Sequence, residues 1–140
     1  MKKILMVALL LTTACRPEKP KPVDIEPGDI CSSCKMAISQ KRYAAEFIDR
    51  EGTAVKFDDI GCMFRFVKAR ALKDSVEAWF VMDYRAQHWM PAENATYVRS
   101  AALPSPMGSG LIALENRAYA EEYSQKYRGK ILTFEDLGKQ

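Results

Sequence analysis

The sequence predicts an α+β protein: two small ββαβ units in one compact domain, behind a lipidated N-terminal tether. Three observations carry that reading. An apolar run over residues 4–11 follows Met1-Lys2-Lys3 and ends shortly before Cys15. Residues 16–27 hold four prolines and almost no apolar side chains. The rest of the chain twice repeats one alternation, from the period of a strand to the period of a helix and back.

Residues 1–14 read as a lipoprotein signal peptide. A short basic start and eight apolar residues fit export and are too few to span a bilayer. Thr12-Thr13-Ala14-Cys15 resembles a bacterial lipobox, with Leu11 four places before the cysteine where three is usual. Cys15 is then the lipidation site and the first mature residue; the alternative is a secreted protein cut near Ala14. Removing residues 1–14 lowers the formal charge from +3 to +1, so acyl chains rather than anionic-lipid attraction would hold the membrane. Residues 15–28 form the Pro-rich tether, and twelve residues of polyproline-like chain reach on the order of 35–40 Å.

Residues 29–140 form the folded domain, with units over about 29–85 and 93–140. In the first unit, residues 43–49 alternate as a strand, Glu51-Gly52 turns the chain, and 53–57 is a second strand. Asp58 or Asp59 caps a helix whose Ile60, Met63, Phe64, Val67 and Ala71 keep helical spacing, and 75–82 returns as a strand. In the second unit, 96–101 and 110–114 are strand-like. Asn116 caps a helix with Tyr119, Tyr123 and Tyr127 four apart, Gly129 stands at its C-cap, and 130–134 closes as a strand. Each unit is too small to bury a large core alone, so the two share a sheet or pack face to face.

Composition excludes several classes. An apolar share of 48% is that of a globular protein, and both charge signs are mixed along the chain. No basic stripe marks a nucleic-acid binder; Arg65, Lys68 and Arg70 read as a solvated helix face. No Ser-His-Asp set, paired catalytic carboxylates or Gly-rich phosphate loop stands in the sequence, which argues against an enzyme.

The chemistry is in the sulfurs. Cys31-Ser32-Ser33-Cys34-Lys35-Met36 packs two thiols and a thioether into six positions, and Met107 stands between Pro106 and Gly108 in a loop. Soft sulfur ligands select soft ions, above all Cu(I). If residues 34–36 are extended, Cys34 and Met36 project from one face and can grip one ion. Met63 and Met82 read as core, and Met90 lies near a loop. His88 is the one histidine and a further candidate ligand, as is Cys31. Cys62 reads as a half-buried core residue in a helix's first turn. A zinc site from Cys31, Cys34, Cys62 and His88 is arithmetically possible but matches no compact zinc spacing. Two other readings compete. Cys31 and Cys34 have the spacing of a thiol-disulfide oxidoreductase, although no capped helix follows them, and outside the cytoplasm they can pair as a plain disulfide staple in an interaction module.

The order Cys15, Cys31-x-x-Cys34-x-Met36, Phe57-Asp58-Asp59, Trp89-Met90-x-Ala92, Ala95-x-Tyr97-Val98 and Pro106-Met107-Gly108-x-Gly110 resembles the NosL family over nearly all of the mature chain. The resemblance implies a membrane-tethered, extracytoplasmic Cu(I) chaperone, periplasmic where there are two membranes. It implies delivery of copper for maturation of nitrous oxide reductase in denitrification. It also implies a fold of two ββαβ units and places the copper ligands on Cys34, Met36 and Met107, with Cys31 matching a cysteine that many members have. Two positions depart from the pattern: Lys35 stands where the family usually has glycine, and Cys62 is outside it.

Overall fold

Two β-hairpins, each followed by a helix and a returning strand, organise the protein. The computed structural model describes residues 18–139; the predicted signal peptide, Cys15 and the start of the tether lie outside the described residues. In the first half, β1 (Ala45–Asp49) turns into β2 (Ala54–Phe57). Asp49 builds the turn by accepting the amides of Glu51 and Thr53 on Oδ1, and Gly52 supplies a φ of +83°. Helix α1 (Ile60–Ala69) follows, then β3 (Val76–Met82), which pairs antiparallel with the other side of β1. In the second half, β5 (Thr96–Arg99), β6 (Leu111–Leu114), α2 (Arg117–Tyr127) and β7 (Lys130–Leu132) repeat the connection. The strand orders correspond, β2-β1-β3 and β6-β5-β7, with the first strand of each half in the centre.

The halves keep separate sheets. Strand β4 (Trp89–Pro91), which the sequence did not announce, extends the first sheet beyond β3. One core nevertheless runs through both: Phe57, Met63 and Val81 of the first half pack in one cluster with Tyr97, Leu111, Ala113 and Leu132 of the second. Fully burying side chains of this size contributes about 1.5–3 kcal/mol each. Buried Asp83 stitches the join by accepting the amides of Arg85 and Ala86 on one oxygen and of Glu115 on the other. Asp83 and Ala113 also form a parallel bridge.

Several expectations need correction. The chain packs before residue 29: Ile25 is 1% exposed, the Val23 amide donates to Glu46, and Lys56 donates to the Asp24 carbonyl and pairs with Asp29. Part of the expected tether therefore lies across the outer face of the first sheet, because Ile25 is an apolar anchor among the prolines. At the end of α2 the left-handed residue is Arg128, at φ +51°, not Gly129. A Cβ on Gly129 would lie 2.7 Å from a Val98 methyl, so this glycine answers close packing on β5. The last strand stops at Leu132, because Thr133 opens helix α3 (Phe134–Gly138) with a capping box to Asp136. The predicted strand over 96–101 also stops short, at Arg99.

Candidate metal centre

The first turn of α1 is the meeting point of three segments. Asp59 is its N-cap: its Oδ1 accepts the Gly61 amide at 2.7 Å. Its other oxygen accepts the Met107 amide at 3.2 Å. Asp58, one residue earlier, accepts the Cys34 thiol at 3.4 Å on each oxygen. Two consecutive carboxylates thus hold the Cys31–Met36 stretch and the Met107 loop at one helix end. Gly61 permits the approach, since a Cβ there would lie 2.6 Å from that of Ser109.

The Cys31–Met36 stretch is a closed loop. The Cys31 amide donates to the Met36 carbonyl at 2.8 Å, and the Lys35 amide donates back to the Cys31 carbonyl at 3.0 Å. Ser32 pins the loop to β2 by donating to the Lys56 carbonyl at 2.9 Å. Lys35 adopts φ +64°, the left-handed region where glycine is at ease. Residues 34–36 are therefore not extended, and the condition for Cys34 and Met36 to project from one strand face is not met: the six-residue loop closes with a left-handed residue between them. The Lys35 ammonium bonds the Ser32 carbonyl, within the loop.

Met107 rides a second tight loop. Ser105 Oγ accepts the Gly110 amide at 3.0 Å and lies 3.3 Å from Ser109 Oγ, while Gly108 and Gly110 both take positive φ. Gly110 must be glycine on a second count, because a Cβ would lie 2.1 Å from the Ser100 carbonyl oxygen. Met36 is 60% exposed and Met107 41%, whereas Met63, Met82 and Met90 are buried. A thioether left in water contributes nothing to the core, so the exposed pair stands out from the other three.

The three cysteines of the folded part are free thiols. Cys62 is fully buried rather than half-buried, and it is not an isolated core residue. Its sulfur, those of Cys31 and Cys34, and an oxygen of Asp58 all lie within 4.8 Å of one another. The sequence offered these three sulfurs only within an arithmetically possible zinc set that matched no compact spacing, because 28 positions separate Cys34 from Cys62 and the packing of the loop on β2 is what joins them. Burial pushes the Cys34 thiol above its ordinary value, and hydrogen bonds with Cys31 and Asp58 push the same way against the Met36 amide. Burial likewise raises Cys62, reinforced by the charges of Cys31 and Asp58 and opposed by Arg65.

His88 is not a member of this cluster. It lies 3.8 Å from Glu115 on an exposed edge, and its carbonyl accepts the Asp83 amide. The zinc set that included it is corrected accordingly: the fourth donor beside the three thiols is Asp58.

Comparison with known proteins gives concordant results. A family model described as NosL matches residues 22–140. No match is found among curated proteins. Among solved structures, the crystal structure of the copper chaperone NosL from Shewanella denitrificans superposes with a TM-score of 0.77 at 20% identity, over 86% of this chain and 96% of that one. At that identity the superposition establishes the fold, and the family model, which fits most of the sequence, establishes the relationship: the chain belongs to the NosL family.

Proposed function

We propose that the protein is a membrane-tethered, extracytoplasmic Cu(I) carrier, not an enzyme, that delivers copper for the maturation of nitrous oxide reductase. Cys34 supplies a thiolate, and Met36 and Met107 supply thioethers. The carrying observation is the Asp58–Asp59 pair: one carboxylate holds the Cys34 thiol and the next holds the Met107 backbone, while both thioethers face solvent. Support also comes from the likeness to a protein described as a copper chaperone. Thioethers need no deprotonation and bind hard ions poorly, so this donor set prefers Cu(I) to Mg(II) or Zn(II). An exposed site lets an acceptor exchange ligands one at a time, which is what a carrier needs and an enzyme does not.

The competing oxidoreductase reading fits less well. A redox dithiol of the thioredoxin kind opens a helix, whereas Cys31 and Cys34 stand in a closed loop that leads into an isolated bridge at Ala37. Anaerobic titration of the reduced protein with Cu(I), in competition with a chromophoric chelator, tests the carrier reading. Tight binding of one ion is expected, with Cys34→Ser nearly abolishing it. Binding no stronger than that of the Cys34→Ser variant would refute the site. Fatty-acid labelling tests the tether: Cys15→Ala is expected to take up none.

A further inference from the structure

We propose that Cys31, Cys34 and Cys62 form a three-thiol Cu(I) site behind the exposed thioethers, sharing Cys34 with them. The proposal rests on the Cu(I) reading above and adds two buried thiols to it. One of them, Cys62, belongs to no motif that the sequence presents.

The geometry is nearly that of a bound state. A three-coordinate ion with metal–sulfur arms of about 2.3 Å holds its donors roughly 4.0 Å apart. The three sulfurs and the Asp58 oxygen already lie within 4.8 Å of one another, so side-chain adjustments of about 1 Å close the site. Donors are also aimed at the sulfurs. The Cys34 amide points at Cys31 Sγ at 3.5 Å, and Arg65 Nη2 donates to Cys62 Sγ at 3.3 Å. Such contacts orient ligand sulfurs and hold them in place. Asp58 is 3% exposed and orients the Cys34 sulfur by accepting its thiol on both oxygens.

Three soft sulfurs against one hard oxygen favour Cu(I), with Asp58 left outside the coordination sphere. Because Cys34 is common to both donor sets, the ion can pass from Met36 and Met107 to Cys31 and Cys62 without leaving that sulfur. The exchange balances without an oxidant: copper remains Cu(I), each thiol that binds releases one proton, and the thioethers release none.

The test uses the full-length chain carrying Cys15→Ala, reduced and anaerobic, so that only the three thiols of the folded part remain. Proton release is measured per Cu(I) bound by that parent, and Cu(I) and Zn(II) affinities are measured for it, for Cys62→Ser and for Met36→Ala/Met107→Ala. The site predicts close to three protons per Cu(I) and a loss of about tenfold or more in Cu(I) affinity for Cys62→Ser. It also predicts that the double methionine variant still binds, more weakly than the parent. Release of one proton per Cu(I) by the parent overturns the proposal and leaves the exposed site standing; this readout does not depend on how Cys62→Ser folds. Loss of Zn(II) but not Cu(I) binding in Cys62→Ser overturns it in favour of a zinc pocket. No Cu(I) binding by the parent removes the carrier reading itself.

Discussion

The two halves share a connection and a strand order, yet only one carries thiols. In the first half the hairpin turn between β1 and β2 is tight, and the Cys31–Met36 loop, which precedes the hairpin, lies at the start of α1. In the second half the β5–β6 connection is long; its tip leaves its own sheet and lands on α1 through Met107 and Asp59. Helix α2 is capped locally by Asn116, only Ala120 of its residues is buried, and what reaches it from the first half is Tyr84 and Arg85, on Tyr123, Glu122 and Tyr119, with no sulfur among them. The repeat builds the scaffold, and its connections, which do not repeat, build the site. Neither half alone contains the proposed donor set of Cys34, Met36 and Met107.

That asymmetry can be broken at several points. The largest effect on folding is expected from Met63→Ala, since Met63 is fully buried in the core that both halves share. A loss of about 2–5 kcal/mol in denaturant unfolding is expected, with Cu(I) affinity of the folded fraction little changed.

Glu46 probes the outer face of the first sheet, which the second sheet does not match. It is buried, its Oε1 accepts the Val23 amide, and Lys56, Asp24 and Asp29 are the charges that face it. Burial raises its pKa from 4.5 to about 7. A raised folded-state value means that the protonated form is favoured in the fold. Its stabilisation is complete below pH 4.5 and is lost as the pH rises through about 7. Glu46→Gln keeps an acceptor for Val23 and is expected to remove that pH dependence. At pH 8 the variant is expected to exceed the parent by up to roughly 3 kcal/mol in urea unfolding, at about 1.4 kcal/mol per pH unit. An unchanged pH profile would show that Glu46 does not titrate in this window.

A smaller and more selective effect is expected at the join. Asp59→Asn keeps a good N-cap but can offer an amide group to the Met107 N–H, so stability should change by less than about 1 kcal/mol while Cu(I) affinity falls. Asp59→Ala removes both roles and is expected to lower stability by about 1–2 kcal/mol as well. Equal copper affinity in both variants and the parent would detach the Met107 loop from the site.

Much of this scaffold was legible because it is written in local pattern. Both ββαβ runs, the Asp59 and Asn116 caps and the burial of Met63 and Met82 follow from periodicity and capping. Where the reading failed, a tertiary demand overrode the local one. Lys35 is left-handed because a six-residue loop must close on itself, and Gly129 is small because β5 passes against it. Strand β4 and helix α3 are too short to carry a period. Cys34, Met36 and Met107 were singled out by residue type and motif, and the structure brings Cys34 and the backbone of the Met107 loop to one helix end. The partnership of Cys62 with Cys31 and Cys34 depends on packing between segments distant in sequence, and no local signal announces it.

The central claim is that one site is assembled from both halves, and Met107 tests it most directly. Met107 belongs to the second half and reaches the first only through the fold, and its exposed side chain carries few core contacts. Cu(I) affinity by chelator competition, together with melting temperature with and without copper, should be compared between Met107→Ala and the parent. The account predicts an apo melting temperature within a degree or two of the parent, about ten- to several-hundred-fold weaker copper binding, and a smaller copper-induced rise in melting temperature. Parental copper affinity in Met107→Ala would contradict it and reduce the Pro106-Met107-Gly108 loop to packing.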